Sequence, residues 1–182
     1  MSMDKPVLPH QIRKVYEGRI FTVAIESVTL PAGQQLDVEV VRHPGSVVIV
    51  PMTDAGEVML VRQYRHAVGR WMWELPAGSL KTGEVADAAA ARECQEEIGL
   101  IPSKVERLGS FFPTPGYCDE EMVFFRATGL RKPGERDEPA QPDEDEDIEP
   151  KAFSLDEIRR SVAIGEIVDL KTIAGLALIA TP

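Results

Sequence analysis

The sequence predicts an α/β protein, and the order of its apolar segments carries that prediction. Short runs of alternating or continuous apolar residues fill residues 19–65, one long alanine-rich segment spans Glu84 to Ile98, and strand-like runs then return before two helical segments near the C-terminus. With 182 residues, 43% of them hydrophobic, the chain can fill a real core.

Taken in order, the runs IFTVAIESVTL and LDVEVV alternate apolar and polar residues across Pro31-Ala32-Gly33, so Arg19 to Val41 is expected to be a hairpin. SVVIVPM and EVMLVRQY follow as a second pair around Thr53-Asp54-Ala55-Gly56. Their continuous apolar character predicts strands buried on both faces of a central sheet. Glu84 to Ile98 holds five alanines and no internal glycine or proline, with Gly99 placed to stop a helix. Strands are expected near Glu106 to Phe112 and Glu121 to Ala127. Arg131 to Pro150, rich in proline and acid, reads as a surface loop. Ser154 and Glu157 have the spacing of a capping box for a helix ending at Gly165, and Lys171 to Ala180 forms the last helix. No internal repeat is present.

Composition narrows the function classes. The net charge of −10 disfavours polymeric nucleic acid, whose binding depends on neutralising phosphates, whereas a small diphosphate can be neutralised by bound cations. The opening MSMDKPVLPHQIRK is charged and proline-containing where a secretory peptide needs an apolar run, and no stretch has the length of a membrane span. Two cysteines, Cys94 and Cys118, are too few for a disulfide framework, so a cytoplasmic protein is expected. His10, His43 and His66 have no metal-ligand spacing.

Chemistry concentrates in the alanine-rich segment. Helical spacing puts Glu93, Glu96 and Glu97 on one face of the last turns, where like charges repel and the helix dipole opposes them. Hard divalent cations relieve such a cluster, with magnesium the leading candidate. Ala86, Ala89 and Ala90 are expected to leave space above this face, while Ala91, Cys94 and Ile98 form an opposing apolar stripe. Arg92, four residues before Glu96, is placed to hold its carboxylate.

Gly78, Glu84, Arg92, Glu93, Glu96, Glu97 and Gly99 resemble the Nudix box at every fixed position, a match that chance would give on the order of once in a million. The resemblance implies an α/β/α sandwich with a mixed sheet and metal-dependent cleavage of a diphosphate bond. It also implies Glu93, Glu97 and the Ala77 carbonyl as ligands of magnesium or manganese, and Glu96 with Arg92 in the catalytic set. Beyond the box, Thr114-Pro115-Gly116-Tyr117-Cys118-Asp119-Glu120, Arg62-Gln63-Tyr64-Arg65 before Trp73-Glu74-Leu75-Pro76-Ala77-Gly78, and Gly165 to Thr172 resemble the ADP-ribose pyrophosphatase branch. That likeness implies hydrolysis of ADP-ribose to AMP and ribose 5-phosphate, with nucleoside diphosphate sugars such as GDP-mannose as competing substrates. A non-catalytic nucleotide sensor is the alternative of another class, and the intact box speaks against it.

The branch further implies a homodimer in which residues 1–45 form an N-terminal β-region exchanged between subunits, completing the pocket of the hydrolase domain at 46–182. The run Asp143 to Asp147 stands where the branch has a loop delivering a catalytic glutamate, which makes Glu144 the expected base and Glu146 an expected metal contact; a solvated acidic loop is the competing reading. Arg65, Arg62 and Pro115 are expected at the substrate. For Glu39 and Phe21, contact across the dimer, with Phe21 stacking on adenine, stands beside ordinary strand placement. Trp71 and Trp73 read as core or interface residues.

Overall fold

The computed structural model describes residues 6–137, 139–140 and 147–180. Among the described residues there are ten strands and three α-helices. Strands β1 (Gln11–Glu17), β2 (Thr22–Thr29) and β3 (Gln35–Arg42) form an antiparallel sheet. The expected hairpin is β2–β3. β1 escapes pattern reading because the apolar Ile12, Val15 and Tyr16 of QIRKVYE do not alternate with its polar residues at the period of a strand.

β4 (Ser46–Pro51) and β5 (Val58–Arg65) are buried as expected, but they do not pair with each other beyond a single bridge between Met52 and Val58. β4 lies between β7 (Ala77–Ser79) and β9 (Met122–Thr128), with β8 (Lys104–Phe111) at the edge. β5 lies between β6 (Arg70–Glu74) and β10 (Ile148–Phe153). A continuous apolar run announces burial on both faces and says nothing about which distant strand takes its hydrogen bonds. Because β4 and β9 run parallel while their other partners are antiparallel, this sheet is mixed. β10 begins inside the stretch expected to be loop; its Pro150 is tolerated because β10 is an edge strand.

α1 (Ala86–Ile98) covers one face of β4, where Val47 and Ile49 meet Ala89, Ala90, Cys94 and Ile98. α2 (Leu155–Ala163) and α3 (Leu170–Ile179) cover the other, through Val48, Val50, Leu75 and Ile158. The layering is α/β/α. Ala89 and Ala90 therefore do not leave space above the carboxylates; they are fully buried, their small side chains letting α1 approach the sheet. The capping box at Ser154 and Glu157 forms as read.

α3 presses closely on the sheet. A Cβ on Gly175 would stand 2.4 Å from Leu75 Cδ1 and 3.2 Å from Val50 Cγ2, both in fully buried side chains. Gly175→Ala is expected to cost about 1–3 kcal/mol through overpacking. It should lower the melting temperature by roughly 2–12 °C, which differential scanning calorimetry reads directly.

Candidate active site

Gly99 adopts φ 69° and ends α1, so the last helical turn delivers Glu93, Glu96 and Glu97 beside the short strand β7. Glu93 is 7% and Glu97 5% exposed. Glu97 Oε2 accepts from the Ala77 amide at 3.3 Å. Glu93 lies so close over Gly78 that a Cβ there would meet Glu93 Oε1 at 1.9 Å. The glycine is a cradle for the carboxylate.

Arg92 organises the rest. It makes a bidentate fork to Glu84, with Nε donating to Oε1 at 2.8 Å and Nη2 to Oε2 at 3.0 Å. Its Nη1 donates to Glu93 Oε1 at 2.7 Å and to Glu96 Oε2 at 2.6 Å. The expected contact with Glu96 is present, and Glu84, given no separate role in the sequence reading, is the anchor that aims the guanidinium. The Arg92 pair holds the Glu84 carboxyl below its ordinary range despite the opposing cost of burial. One guanidinium faces three carboxylates, and the last turn carries no basic residue. Cys94, on the opposite side, is a buried thiol pushed up to about 12 by burial and by the Glu97 charge, which leaves it an inert core residue.

Among the described residues no three histidine, cysteine or acidic side chains converge into a ready metal-holding group. The donor chemistry nevertheless fits a hard divalent cation: two buried carboxylates flank the Ala77–Gly78 backbone, with a third beside Arg92, and all the donors are oxygens.

Of these groups, Ala77, Gly78, Arg92, Glu93 and Glu96 line a cleft of about 640 Å³ together with Arg19, Arg65 and Lys81, while Glu97 lies buried beneath its wall. A second lobe of about 500 Å³ shares Arg65 and Gly78 and adds Glu74, Pro113, Glu120 and Lys171. Each lobe by itself falls in the range of small-molecule sites. Four cationic side chains thus meet at one cleft in a chain of net charge −10, two of them, Arg65 and Arg92, already paired with carboxylates.

The remaining expected residues are dispersed. Arg65 lies at the cleft, where it makes a fork to Glu74. Arg62, on the opposite face of β5, stacks over Trp71 at 4.8 Å and reaches Glu149 at 3.4 Å. Pro115 is exposed in its turn, and Pro113 lines the cleft instead. Glu39 borders a separate cavity with Gly116 and Tyr117. Phe21 is exposed and packs on Tyr16, while its neighbours Arg19 and Ile20 reach the cleft. Trp73 packs edge-on to Phe153 against the core, whereas Trp71 is exposed beside Tyr64. Glu144 and Glu146 lie outside the described residues.

A family model of the NUDIX domain matches residues 42–172. The chain belongs to the Nudix family. It is 40% identical to an ADP-ribose pyrophosphatase of Mycobacterium tuberculosis, over 89% of this chain and 77% of that protein. It is 33% identical to an ADP-ribose pyrophosphatase of Bacillus subtilis, over 87% of this chain and 84% of that one. A methanol dehydrogenase activator of Bacillus methanolicus shares 35% identity over 88% of this chain and 85% of its own length. Among solved structures, an ADP compounds hydrolase superposes with a TM-score of 0.81, covering 99% of this chain and 95% of its own at 20% identity, which shows a shared Nudix fold. This Nudix hydrolase therefore carries its family's box on α1 and the loop before it, at the wall of a cationic cleft. No helix among the described residues is long and apolar enough to cross a membrane.

Proposed function

We propose that this Nudix hydrolase acts in the cytoplasm on ADP-ribose, using magnesium or manganese to split its diphosphate with water into AMP and ribose 5-phosphate. The observation that carries the reading is the placement of Glu93 and Glu96 on the wall of a cleft ringed by Arg19, Arg65, Lys81 and Arg92. The ADP-ribose pyrophosphatases at 33% and 40% identity support the choice of substrate.

Glu93 and Glu97, with the Ala77 carbonyl, would hold the metal, and Glu146 would add a contact from the acidic loop. A bound divalent ion supplies electrophilic activation at phosphorus and neutralises the leaving phosphate. Arg92 keeps Glu93 and Glu96 in place by donating to both. Arg65, which borders both lobes of the cleft, grips a phosphate oxygen. Glu144 takes the proton of the attacking water. Residues 1–45 complete the pocket across a homodimer, with Glu39 and Phe21 reaching the partner's substrate; the exposed Ile12, Val15, Tyr16 and Phe21 support this apolar contact.

A panel of ADP-ribose, GDP-mannose, UDP-glucose, FAD and dinucleoside polyphosphates, with products resolved chromatographically, tests the substrate. ADP-ribose should give the highest kcat/KM, and EDTA should abolish turnover. Exclusive cleavage of oxidised nucleoside triphosphates would sink the reading. For the base, Glu144→Gln is expected to cost about 100 to 10,000-fold in kcat and to remove the rise of rate with pH. Equal, negligible effects of Glu144→Gln and Glu146→Gln would reject the acidic loop as its source.

A further inference from the structure

The second lobe of the cleft is lined by a charged network of which the chemistry above uses only Arg65. Glu74, 2% exposed at the end of β6, accepts from Arg65 Nε at 2.9 Å and Arg65 Nη2 at 2.8 Å. The same carboxylate accepts from Lys171 Nζ, which also donates to Asp169 Oδ1 at 3.0 Å. Asp169 caps α3, its Oδ2 accepting from the Thr172 amide at 2.9 Å and from Thr172 Oγ1 at 2.7 Å. Thr172 Oγ1 in turn accepts from the Leu75 amide at 2.8 Å, which closes the ring.

We infer that Glu74 and Lys171 are positioning residues. They lock the Arg65 guanidinium at the cleft and fasten the segment Leu75 to Ala77 to the N-terminus of α3, so the C-terminal helix sets the geometry of substrate binding.

Stability alone is a poor reason for such a network, because buried ion pairs are commonly matched or bettered by apolar residues of similar volume. Geometry is a better one. A fork to both Nε and Nη2 fixes the plane of an arginine and turns its Nη1 away from the partner carboxylate. Glu74 makes that fork, and Arg65 borders both lobes of the cleft. Burial raises the Glu74 carboxyl, but the hydrogen bonds and charges of Arg65 and Lys171 outweigh burial and hold it below its ordinary range, so it stays ionised at neutral pH. Arg65, for its part, feels the charges of Glu97 in the box helix and of Asp169 at the cap of α3 as well as that of Glu74.

The inference rests on the reading of Arg65 as a substrate contact, and its test separates the two. Glu74→Gln, Lys171→Met and Arg65→Ala are made alone, and the first two are each combined with Arg65→Ala. Binding of ADP-ribose without metal is measured by titration calorimetry below the melting transition of each variant, with magnesium-dependent turnover measured in parallel. Each single change is expected to weaken Kd about tenfold, the scale of one charge-assisted hydrogen bond. The doubles should bind no worse than Arg65→Ala alone, because the same contact has already been lost. Losses that multiply to about 100-fold, a Kd indifferent to Arg65→Ala, or a lowered melting temperature with unchanged Kd would overturn the inference. Coupled binding without turnover would overturn the hydrolase reading and leave the positioning role standing; absence of both binding and turnover would overturn both. Should Glu74→Gln not fold, Lys171→Met, which removes the other donor to the Glu74 Oε2 that Arg65 Nη2 also reaches, carries the test.

Discussion

Glu97→Gln is expected to lower kcat for ADP-ribose by more than about 100-fold while the chain melts within a few degrees of the parent or above it. The magnitude follows from the role proposed for Glu97: loss of a partner that merely orients a metal ligand already costs about 10–100-fold, and loss of a ligand itself should exceed that. The stability side follows from position. Glu97 is buried in the last turn of α1, next in sequence to Glu96, and no basic residue there offsets the helix dipole. Glutamine keeps an acceptor for the Ala77 amide and removes one of the mutually repelling charges. Calorimetry and steady-state kinetics on one preparation provide the check. Full turnover in the glutamine variant would remove Glu97 from the metal site, and a collapse of the fold would make it structural.

Gly78→Ala should be nearly as damaging to activity, by a route with no charge change. The added methyl would sit 1.9 Å from Glu93 Oε1 and 2.1 Å from its Cδ, so the carboxylate has to leave its cradle. Because the atoms displaced are the end of a flexible side chain, the fold has an inexpensive escape. Alanine also restricts the unfolded chain, worth about 0.4–1 kcal/mol where the backbone allows it. The expected result is a loss of more than about 100-fold in kcat with a melting temperature close to the parent's. Combining it with Glu93→Gln should add little, since both changes remove the same carboxylate from the same place. Multiplying losses would mean that Gly78 acts on something other than Glu93.

Much of the helix that bears the box is legible in the sequence. Glu93, Glu96 and Glu97 are neighbours on one turn, and an α-helix of known period places such residues on a common face whatever surrounds it. The caps at Gly99 and at Ser154 with Glu157 are local for the same reason. Partnership across the chain was not legible. β4 and β5 were recognisable as buried strands, yet their ladders go to β7, β9, β6 and β10, because an apolar run encodes burial without encoding a partner. Helical spacing alone puts Ala86, Ala89 and Ala90 in open space above the carboxylates, whereas the sheet claims Ala89 and Ala90 for its core.

The sequence by itself determined the family, the chemistry of the box and the helix that bears it, since these depend on residue types at short fixed spacings. Only the tertiary structure decided what those residues face. It set Glu93 against Gly78, tied Arg92 to Glu84, and brought Arg19, Arg65 and Lys81 around one cleft in an acidic chain. It also joined Glu74 to Lys171 across 97 positions of sequence. Contacts between segments so far apart in the chain arise from how sheets and helices pack against one another, and short fixed spacings do not encode them.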